Sequence, residues 1–394
     1  MATLRDREAQ LYMQASRRMP VTVVRGAGTR VWDDEGREYL DFVAGIATNT
    51  LGHADPDLAE VIARQAKTLV HASNLVYTLP QIELAELLVA HSCADRVYFV
   101  NSGAEANETA VKLARKWGKI HRGGAHAIIC AENAFHGRTL ATIAATGNPR
   151  YSDPFTPLPE GFLHVPYDDL DALRAATGDE TVAVMLEPLQ GEGGINVPSP
   201  GYLRGVREWC DEQGLLLIFD EVQSGMGRTG TLWAYEQEGA EPDIFTSAKA
   251  LGGGVPVGAA LAREHAAVFE PGDHGNTFGG SVLATAAAAH VVRRLVEGGV
   301  LAESRARGEQ LGRALEGLAD RAPGVSGVRG RGLLRGLVLE RDAAPDAVAA
   351  ALGAGLILNA VRPNVLRFMP PLTVTEEEIA HAVSLTESAL ATVL

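Results

Sequence analysis

Leu215-Leu216-Leu217-Ile218-Phe219-Asp220-Glu221-Val222-Gln223 decides the fold of this chain of 394 residues. Five consecutive apolar residues followed by two acids are typical of a buried parallel strand that carries carboxylates at its carboxyl end. Open α/β sheets bind their ligands at that edge. We therefore expect Asp220 to face a cationic group of a ligand.

Lys249 follows Asp220 by 29 positions, in Thr246-Ser247-Ala248-Lys249-Ala250-Leu251-Gly252-Gly253-Gly254, and is one of five lysines in the chain. A lone loop lysine is usually a surface charge. Unlike arginine, however, a lysine among apolar and glycine-rich neighbours can lose its proton and attack a carbonyl. Its pairing with Asp220 favours a catalytic role.

Composition limits the classes of function. With 46% hydrophobic residues the chain can bury a large core, and its length predicts more than one domain. A net charge of −14 disfavours nucleic acid and anionic membrane surfaces as partners, because both would be repelled. Any anionic substrate must therefore be bound by locally placed arginines.

No metal site and no secretion signal are expected. Cys93, Cys130 and Cys210 are scattered, without the close pairs of a metal site or a disulfide framework. The first 18 residues are charged throughout and lack the apolar run of a signal peptide or a spanning helix. We expect a cytoplasmic protein.

Apolar runs that alternate with helical patterns predict βαβ units and a mostly parallel sheet. The runs are Val97–Val100, Ile128–Cys130, Val182–Leu186, Leu215–Phe219, Ile244–Phe245 and Val257–Leu261. Long connections at 148–161 and 188–201 are expected to be functional loops. The predicted division is residues 1–55 as an amino-terminal arm and antiparallel ribbon, 56–290 as the large domain and 291–394 as a small domain.

Three further motifs supply groups for a phosphorylated ligand and a carboxylate. The turn Asn101-Ser102-Gly103-Ala104 opens a helix whose free N–H groups suit a phosphate, or it is only a capped turn. Phe135 can stack on a planar cofactor or belong to the core, and Arg138 can bind a carboxylate or form a structural ion pair. Glu192 lies among glycines that let its side chain change partners, unless the loop is merely flexible.

Pyridoxal phosphate fits these parts together. Lys249 would form an imine with its aldehyde, and Asp220 would hold the protonated pyridine nitrogen that makes the ring an electron sink. The helix that begins at Gly103 would bind the phosphate, and Phe135 would cover one ring face.

The same motifs resemble a known family. They are Asn101-Ser102-Gly103-Ala104-Glu105-Ala106-Asn107, Phe135-His136-Gly137-Arg138-Thr139, Glu187-Pro188-Leu189-Gln190-Gly191-Glu192-Gly193-Gly194, Asp220-Glu221-Val222-Gln223-Ser224-Gly225-Met226-Gly227-Arg228-Thr229-Gly230 and Ala248-Lys249-Ala250-Leu251-Gly252-Gly253-Gly254. Their order resembles class III aminotransferases of pyridoxal-phosphate fold type I, and within them the acetylornithine aminotransferases. The resemblance runs from about Val21 to about Leu372.

This resemblance implies a large, mostly parallel, seven-stranded-type α/β sheet domain between helices and a small α+β domain built from both chain ends. It also implies a homodimer with shared active sites. By matched position, the residues that would bind or activate pyridoxal phosphate are Lys249 (imine and proton shuttle), Asp220 (pyridinium), Val222 and Phe135 (ring faces), Gln223 (phenolic oxygen), Ser102, Gly103 and Ala104 (phosphate), and Thr277 from the other subunit.

The substrate residues implied by the resemblance are Arg138 and Arg367 for carboxylates, Asn74, and Glu192 as a gate that masks Arg367. The expected reaction moves an amino group between glutamate or 2-oxoglutarate and an acylated amino-aldehyde of arginine biosynthesis. Two positions depart from the family pattern. Ser16 stands where a tyrosine is expected to contact the substrate, and Ser281 stands where asparagine usually follows the paired glycines.

Other functions remain open on the sequence. Related class III transaminases act on ornithine, succinyl-diaminopimelate, 4-aminobutyrate or carrier-bound amino acids. An aminomutase or racemase would also use pyridoxal phosphate, but it would not need two arginines and a gate. A dinucleotide-binding protein is disfavoured because no GxGxxG sequence follows an early strand.

Overall fold

The computed structural model describes residues 4–394. The helices are α1 (Leu4–Leu11), α2 (Ala44–Ala47), α3 (Pro56–Thr68), α4 (Leu79–Ala90), α5 (Gly103–His121), α6 (Leu140–Thr146), α7 (Pro149–Ser152), α8 (Leu170–Ala176), α9 (Tyr202–Gln213), α10 (Val282–Val296), α11 (Val300–Arg321), α12 (Ala344–Ala354) and α13 (Glu376–Val393). The strands are β1 (Val23–Ala27), β2 (Arg30–Asp33), β3 (Glu38–Asp41), β4 (Arg96–Val100), β5 (Ala127–Ala131), β6 (Phe162–Val165), β7 (Thr181–Leu186), β8 (Leu216–Asp220), β9 (Ile244–Ser247), β10 (Gly258–Ala262), β11 (Val325–Arg331), β12 (Leu334–Leu339), β13 (Leu356–Ile357), β14 (Asn359–Arg362) and β15 (Val365–Phe368).

The largest sheet within residues 4–394 has seven strands in the order β4-β10-β9-β8-β7-β5-β6. Only β10 runs antiparallel to its neighbours. In β8, Leu217 and Phe219 pack into one apolar cluster, whereas Leu216 and Ile218 pack into another on the opposite face. Because both faces are covered, a strand of unbroken apolar residues is stable here. The predicted mostly parallel sheet, with β8 at its centre, is confirmed.

The edge strand β6 was not predicted. Leu163 and His164 in its middle are exposed, so it lacks the apolar run of the buried strands. The connection at 148–161 that precedes it is also more ordered than expected, because it contains α7 and a 3₁₀ turn at Asp153–Phe155.

Two four-stranded sheets lie outside the large one among the described residues, in the orders β1-β2-β3-β13 and β11-β12-β15-β14. The predicted ribbon therefore has a third strand, β3, which pairs in parallel with β13 from the other end of the chain. Leu40 stands opposite Leu356 in that pair. This pairing supports the proposed small domain built from both chain ends.

Within residues 4–394, no helix combines the length and apolar character needed to span a bilayer.

Candidate active site

The carboxyl ends of β4, β8 and β9 open into a cleft of about 410 Å³. Parallel strands deliver their last side chains to the same edge, which explains why residues far apart in sequence meet there. Eight of the predicted site residues line the cleft: Ser102, Gly103, Ala104, Phe135, Arg138, Asp220, Val222 and Lys249.

Asp220 ends β8 and is held by three hydrogen bonds. Its Oδ2 accepts from Asn107 Nδ2 at 2.7 Å and lies 2.8 Å from His136 Nδ1. Its Oδ1 accepts from the backbone N–H of Val222 at 3.0 Å. Asn107 is fixed in turn, because its Oδ1 accepts from Thr246 Oγ1 at 2.8 Å. The carboxylate orientation is therefore set before any ligand binds.

The charge of Asp220 is maintained by His136. Burial opposes ionisation of Asp220, but the hydrogen bond and the charge of His136 outweigh it, and the pKa of Asp220 lies below its ordinary value. Burial likewise lowers the pKa of His136, but the interaction with Asp220 outweighs it, and the net shift is upward. The pair thus presents a buried anion to the cleft.

Lys249 follows β9 directly and has a backbone φ of +35°. Its Nζ has no hydrogen-bond partner within residues 4–394. Burial lowers the pKa of Lys249, although the charges of Glu192 and Asp220 oppose that shift. A lysine in these surroundings loses its proton more readily than one in water, as a nucleophile requires.

The turn between β4 and α5 forms an anion cradle. Ser102 caps α5, and its Oγ accepts from the N–H of Glu105 at 3.2 Å. In return, the side-chain Oε2 of Glu105 accepts a hydrogen bond from the backbone N–H of Asn101 at 2.7 Å. At Gly103 an added Cβ would lie 2.7 Å from Val222 Cγ1, so any side chain there would force Val222 to shift. The first turn of α5 is left open toward the cleft.

Arg138 is positioned by aromatic rings. Its guanidinium carbon lies 3.9 Å from the ring centroid of Tyr151 and 5.3 Å from that of Phe135. The side chain is exposed, and no ion pair to it exists among the described residues. Cation–π contacts hold the arginine in place while leaving its charge free for an anion.

The predicted gate is closed in this structure. Arg367, on β15, is 1% exposed and ion-pairs through Nη1 with Glu192 Oε1. Gln223 joins the pair, because its Nε2 donates to Glu192 at 3.2 Å and its Oε1 accepts from Arg367 at 3.3 Å. Burial raises the pKa of Glu192, but the charge of Arg367 outweighs this effect and leaves it below its ordinary value.

The loop that carries Glu192 is anchored on both sides of the gate. At Gly191 an added Cβ would lie 1.7 Å from Gln223 Oε1, so a side chain there would displace the Gln223 amide from Glu192 and Arg367. The carbonyl of Gly193 accepts from Arg362 Nε at 2.9 Å. The backbone of the loop is fixed, so a change of partner by Glu192 would be a movement of its side chain.

Two more acids near the cleft are buried. Burial raises the pKa of Glu187 to about 7, although the N–H groups of Phe135 and Gly191 donate to its carboxylate. Burial also raises the pKa of Glu221 to about 7, although Ser224 Oγ donates to it at 2.6 Å.

Asn74 and Thr277 lie outside this cleft. Asn74 Nδ2 donates to the carbonyls of Asn276 and Gly279, which places it beside the exposed Thr277 rather than near Lys249. Their roles stay predictions that need a second subunit. Ser16 faces a separate groove that Arg138 also lines, and Ser281 precedes α10 as its N-cap residue.

Sequence reasoning missed three polar groups of the site. Asn107 and His136 lie within the quoted motifs, but those motifs predict no role for either, and Asn359 lies outside them. Asn359 Oδ1 accepts from Arg367 Nε at 3.3 Å. His136 lies in the loop between β5 and α6, and Asn107 is a polar residue on the buried face of α5, which could have suggested both, whereas nothing local marks Asn359.

The site suits pyridoxal phosphate on features of the chain itself. An amine with no partner, a buried carboxylate held ionised and an open helix N-terminus at Gly103 are the groups that its aldehyde, pyridine nitrogen and phosphate require. Val222 and Phe135 both line the cleft and are apolar enough to face an aromatic ring.

Known proteins are similar to this chain over nearly its whole length. The acetylornithine aminotransferase of Thermosynechococcus vestitus is 55% identical over 97% of this chain and 95% of its own length. The acetylornithine aminotransferase of Gloeobacter violaceus is 51% identical over 99% of this chain and 98% of its own length.

Solved structures of aminotransferases have a similar fold over nearly the whole chain. An ornithine aminotransferase from Toxoplasma gondii has a TM-score of 0.95 at 33% identity and covers 100% of this chain and 96% of its own. Another structure of that protein is described as having partial occupancy of PLP at the active site. N-acetylornithine aminotransferase from Stenotrophomonas maltophilia has a TM-score of 0.84 at 39% identity and covers 96% and 98%. The model of the family described as aminotransferase class-III matches residues 11–390, and this chain is a member of that family.

Proposed function

We propose that this chain is a pyridoxal-phosphate-dependent acetylornithine aminotransferase. It would exchange the amino group of N2-acetylornithine with the oxo group of 2-oxoglutarate, giving N-acetylglutamate 5-semialdehyde and glutamate. The ion pair of Glu192 with Arg367, beside Lys249 and bridged by Gln223, is the observation that carries the proposal. The names of the most similar relatives support the acetylated substrate.

Pyridoxal phosphate, when bound, supplies a carbonyl that accepts amino groups and a ring that stabilises negative charge at the substrate α-carbon or its equivalent. Asp220 would hold the ring nitrogen protonated, because a buried carboxylate with three donors stays ionised. Ser102, Gly103 and Ala104 would bind the phosphate at the start of α5.

Lys249 would carry protons at the reacting carbon. Its Nζ has no competing hydrogen bond in residues 4–394, and its pKa is lowered by burial, so the amine can take up and return a proton. Because it stands next to Asp220 and Val222 along the cleft wall, it is placed beside any ring that they hold.

Arg138 and Arg367 would orient the substrates. Arg138, free of ion pairs among the described residues, can bind the carboxylate that both substrates share. Glutamate has a second carboxylate, which would displace Glu192 from Arg367. Acetylornithine has none there, so Glu192 would stay and prevent an unpaired buried charge.

The proposed assembly is a homodimer acting in the cytoplasm in arginine biosynthesis. Leu75 and Tyr77 are 92% and 99% exposed, and Phe278 is 61% exposed nearby. Apolar side chains exposed together are typical of an interface. Thr277 beside them would then reach the partner's phosphate site.

Free ornithine is the second candidate substrate. It is favoured by the structural likeness to the Toxoplasma gondii ornithine aminotransferase and by Ser16, which lacks the phenol expected near the substrate. The two arginines and the gate favour transamination over an isomerase.

The test is a comparison of kcat/KM for acetylornithine, ornithine, succinyl-diaminopimelate and 4-aminobutyrate, with 2-oxoglutarate as acceptor and cofactor fully bound. We expect acetylornithine to be preferred. Glutamate alone should shift the cofactor absorbance to that of its aminated form, and 2-oxoglutarate should reverse it. Failure of both spectral changes would exclude an aminotransferase; preference for another donor would change the substrate only.

A further inference from the structure

A second, larger depression lies next to the cleft. It has a volume of about 1350 Å³ and lies between residues 4–22 and a wall formed by Arg138, Arg150 and Tyr151. We call it the arginine groove, because its lining includes Arg5, Arg7, Arg17, Arg18, Arg138 and Arg150. It is about three times as large as the cofactor cleft and so is not a close-fitting site for a small substrate.

The charge of the groove is opposite in sign to the net charge of the chain. The chain has a net charge of −14, yet among residues 4–394 the groove is lined by six arginines and by one acid, Glu8. Glu8 is already neutralised by Arg18, whose Nε lies 2.9 Å from its Oε1. Arg5, Arg7, Arg17 and Arg150 are exposed and have no ion pair within residues 4–394. The positive potential is therefore not cancelled locally.

The groove is continuous with the cleft through one side chain. Arg138 lines both, and its stacking on Tyr151 fixes it at the boundary. An anion that enters between the arm and α7 therefore meets Arg138 before it meets Lys249.

The positive charge of the groove can attract anions to the cleft. A dianion approaching a chain of charge −14 is repelled, and a local patch of one sign can raise its local concentration and its rate of entry by 10-fold or more. We propose that the arginine groove collects dicarboxylate anions, such as the 2-oxoacid acceptor, and passes them to Arg138. This inference rests on the proposed function.

The test compares two double variants of the holoenzyme. Arg17→Gln/Arg150→Gln removes two charges from the groove. Lys119→Gln/Arg313→Gln removes two exposed charges elsewhere, on α5 and α11. kcat/KM for 2-oxoglutarate and for acetylornithine is measured from low to about 1 M ionic strength, where the screening length falls to about 3 Å. Binding of glutarate, an unreactive dianion, is measured by calorimetry.

At low salt we expect the groove variant to lose about 3- to 10-fold in kcat/KM for 2-oxoglutarate and in glutarate affinity, with kcat unchanged. The loss should vanish near 1 M salt, and zwitterionic acetylornithine should change by less than about 2-fold because it has no net charge. The inference is wrong if the two variants behave alike toward 2-oxoglutarate and glutarate, or if the loss persists at high salt. Wild-type protein without transaminase activity would instead refute the proposed function, while glutarate binding would still test the groove.

Discussion

A buried guanidinium requires an anion, and Arg367 has one in Glu192. Gln223 and Asn359 also accept hydrogen bonds from it, so the arginine would stay in place if its anionic partner changed. The exchange of one carboxylate for another keeps the buried charge neutralised in both halves of the proposed reaction. Loss of the Glu192 carboxylate should therefore affect the reaction of acetylornithine and that of glutamate to different extents.

Glu192→Gln should weaken kcat/KM for acetylornithine by about 10- to 100-fold, because Arg367 is left without an anion when that substrate is bound. The glutamate half-reaction should change by less than about 3-fold, because glutamate brings its own carboxylate. Single-turnover absorbance measurements with each amino donor give the two rates. Glu132→Gln, a change at an exposed acid before the Phe135 loop, is the control. Equal losses for both donors would contradict the gate.

Individual residues were predictable where a motif places them after a strand, as with Asp220 and Lys249. The partners of Asp220 were not, because Asn107 and His136 lie 113 and 84 positions away in sequence. Which of many polar side chains converge on one carboxylate depends on strand order, and a single sequence does not contain that order.

At the scale of elements, β4, the turn at Asn101–Ser102 and α5 act as one unit. The strand delivers the turn to the sheet edge, Ser102 and Glu105 cap the helix, and Val222, which follows β8, packs on Gly103. The close contact leaves no room for a side chain at the first helical residue unless Val222 shifts.

Gly103→Ala should destabilise the protein by about 1–3 kcal/mol and weaken cofactor binding, because its Cβ must push Val222 out of the ring-facing wall. Thermal unfolding of the cofactor-free protein and absorbance titration with pyridoxal phosphate measure the two effects. Gly178→Ala is matched, because nothing lies within 4 Å of an added Cβ there. Equal stability and equal cofactor affinity of the two variants would show that the contact between position 103 and Val222 does not require glycine.

Elements with a strong local pattern, such as β7, β8 and α10, follow directly from the sequence. The turn α2 does not, because Ala44, Ile46 and Ala47 have φ values of +48°, +64° and +62°, which alanine and isoleucine rarely adopt. Asp41 Oδ1 accepts hydrogen bonds from the N–H groups of Val43 and Ala44, both at 2.9 Å, and these bonds help hold the start of α2 in this conformation. Tertiary contacts override local preference there, and Thr48, which follows the turn, lines the cleft.

At the scale of the whole molecule, the site residues fall into two groups that one chain does not bring together. Most of the predicted cofactor residues line the cleft, whereas the predicted site residues Asn74 and Thr277 lie on a surface with exposed Leu75, Tyr77 and Phe278. The proposed homodimer would join the two groups and cover the apolar side chains. The sequence predicted each group but could not show where the second lies.

Leu75→Glu/Tyr77→Glu should shift the protein toward monomers, because charges would be buried in the proposed interface. Sedimentation velocity over a range of concentrations measures the shift, and cofactor affinity should fall with it if Thr277 serves the partner subunit. Phe155→Glu/Leu163→Glu changes two exposed apolar residues outside that surface and is the control. A concentration-independent mass shared by both variants would contradict the proposed interface.

Glu187 and Glu221 have a consequence for the heat of unfolding. Burial raises the pKa of each from 4.5 to about 7, so the folded chain holds protons between those pH values that the unfolded chain gives up. Their contribution to stability is full below pH 4.5 and is lost as the pH rises through about 7. Unfolding near pH 6 would release up to about two protons from these groups to the solution. The calorimetric enthalpy measured there therefore includes the ionisation enthalpy of the buffer and differs between buffers at one pH.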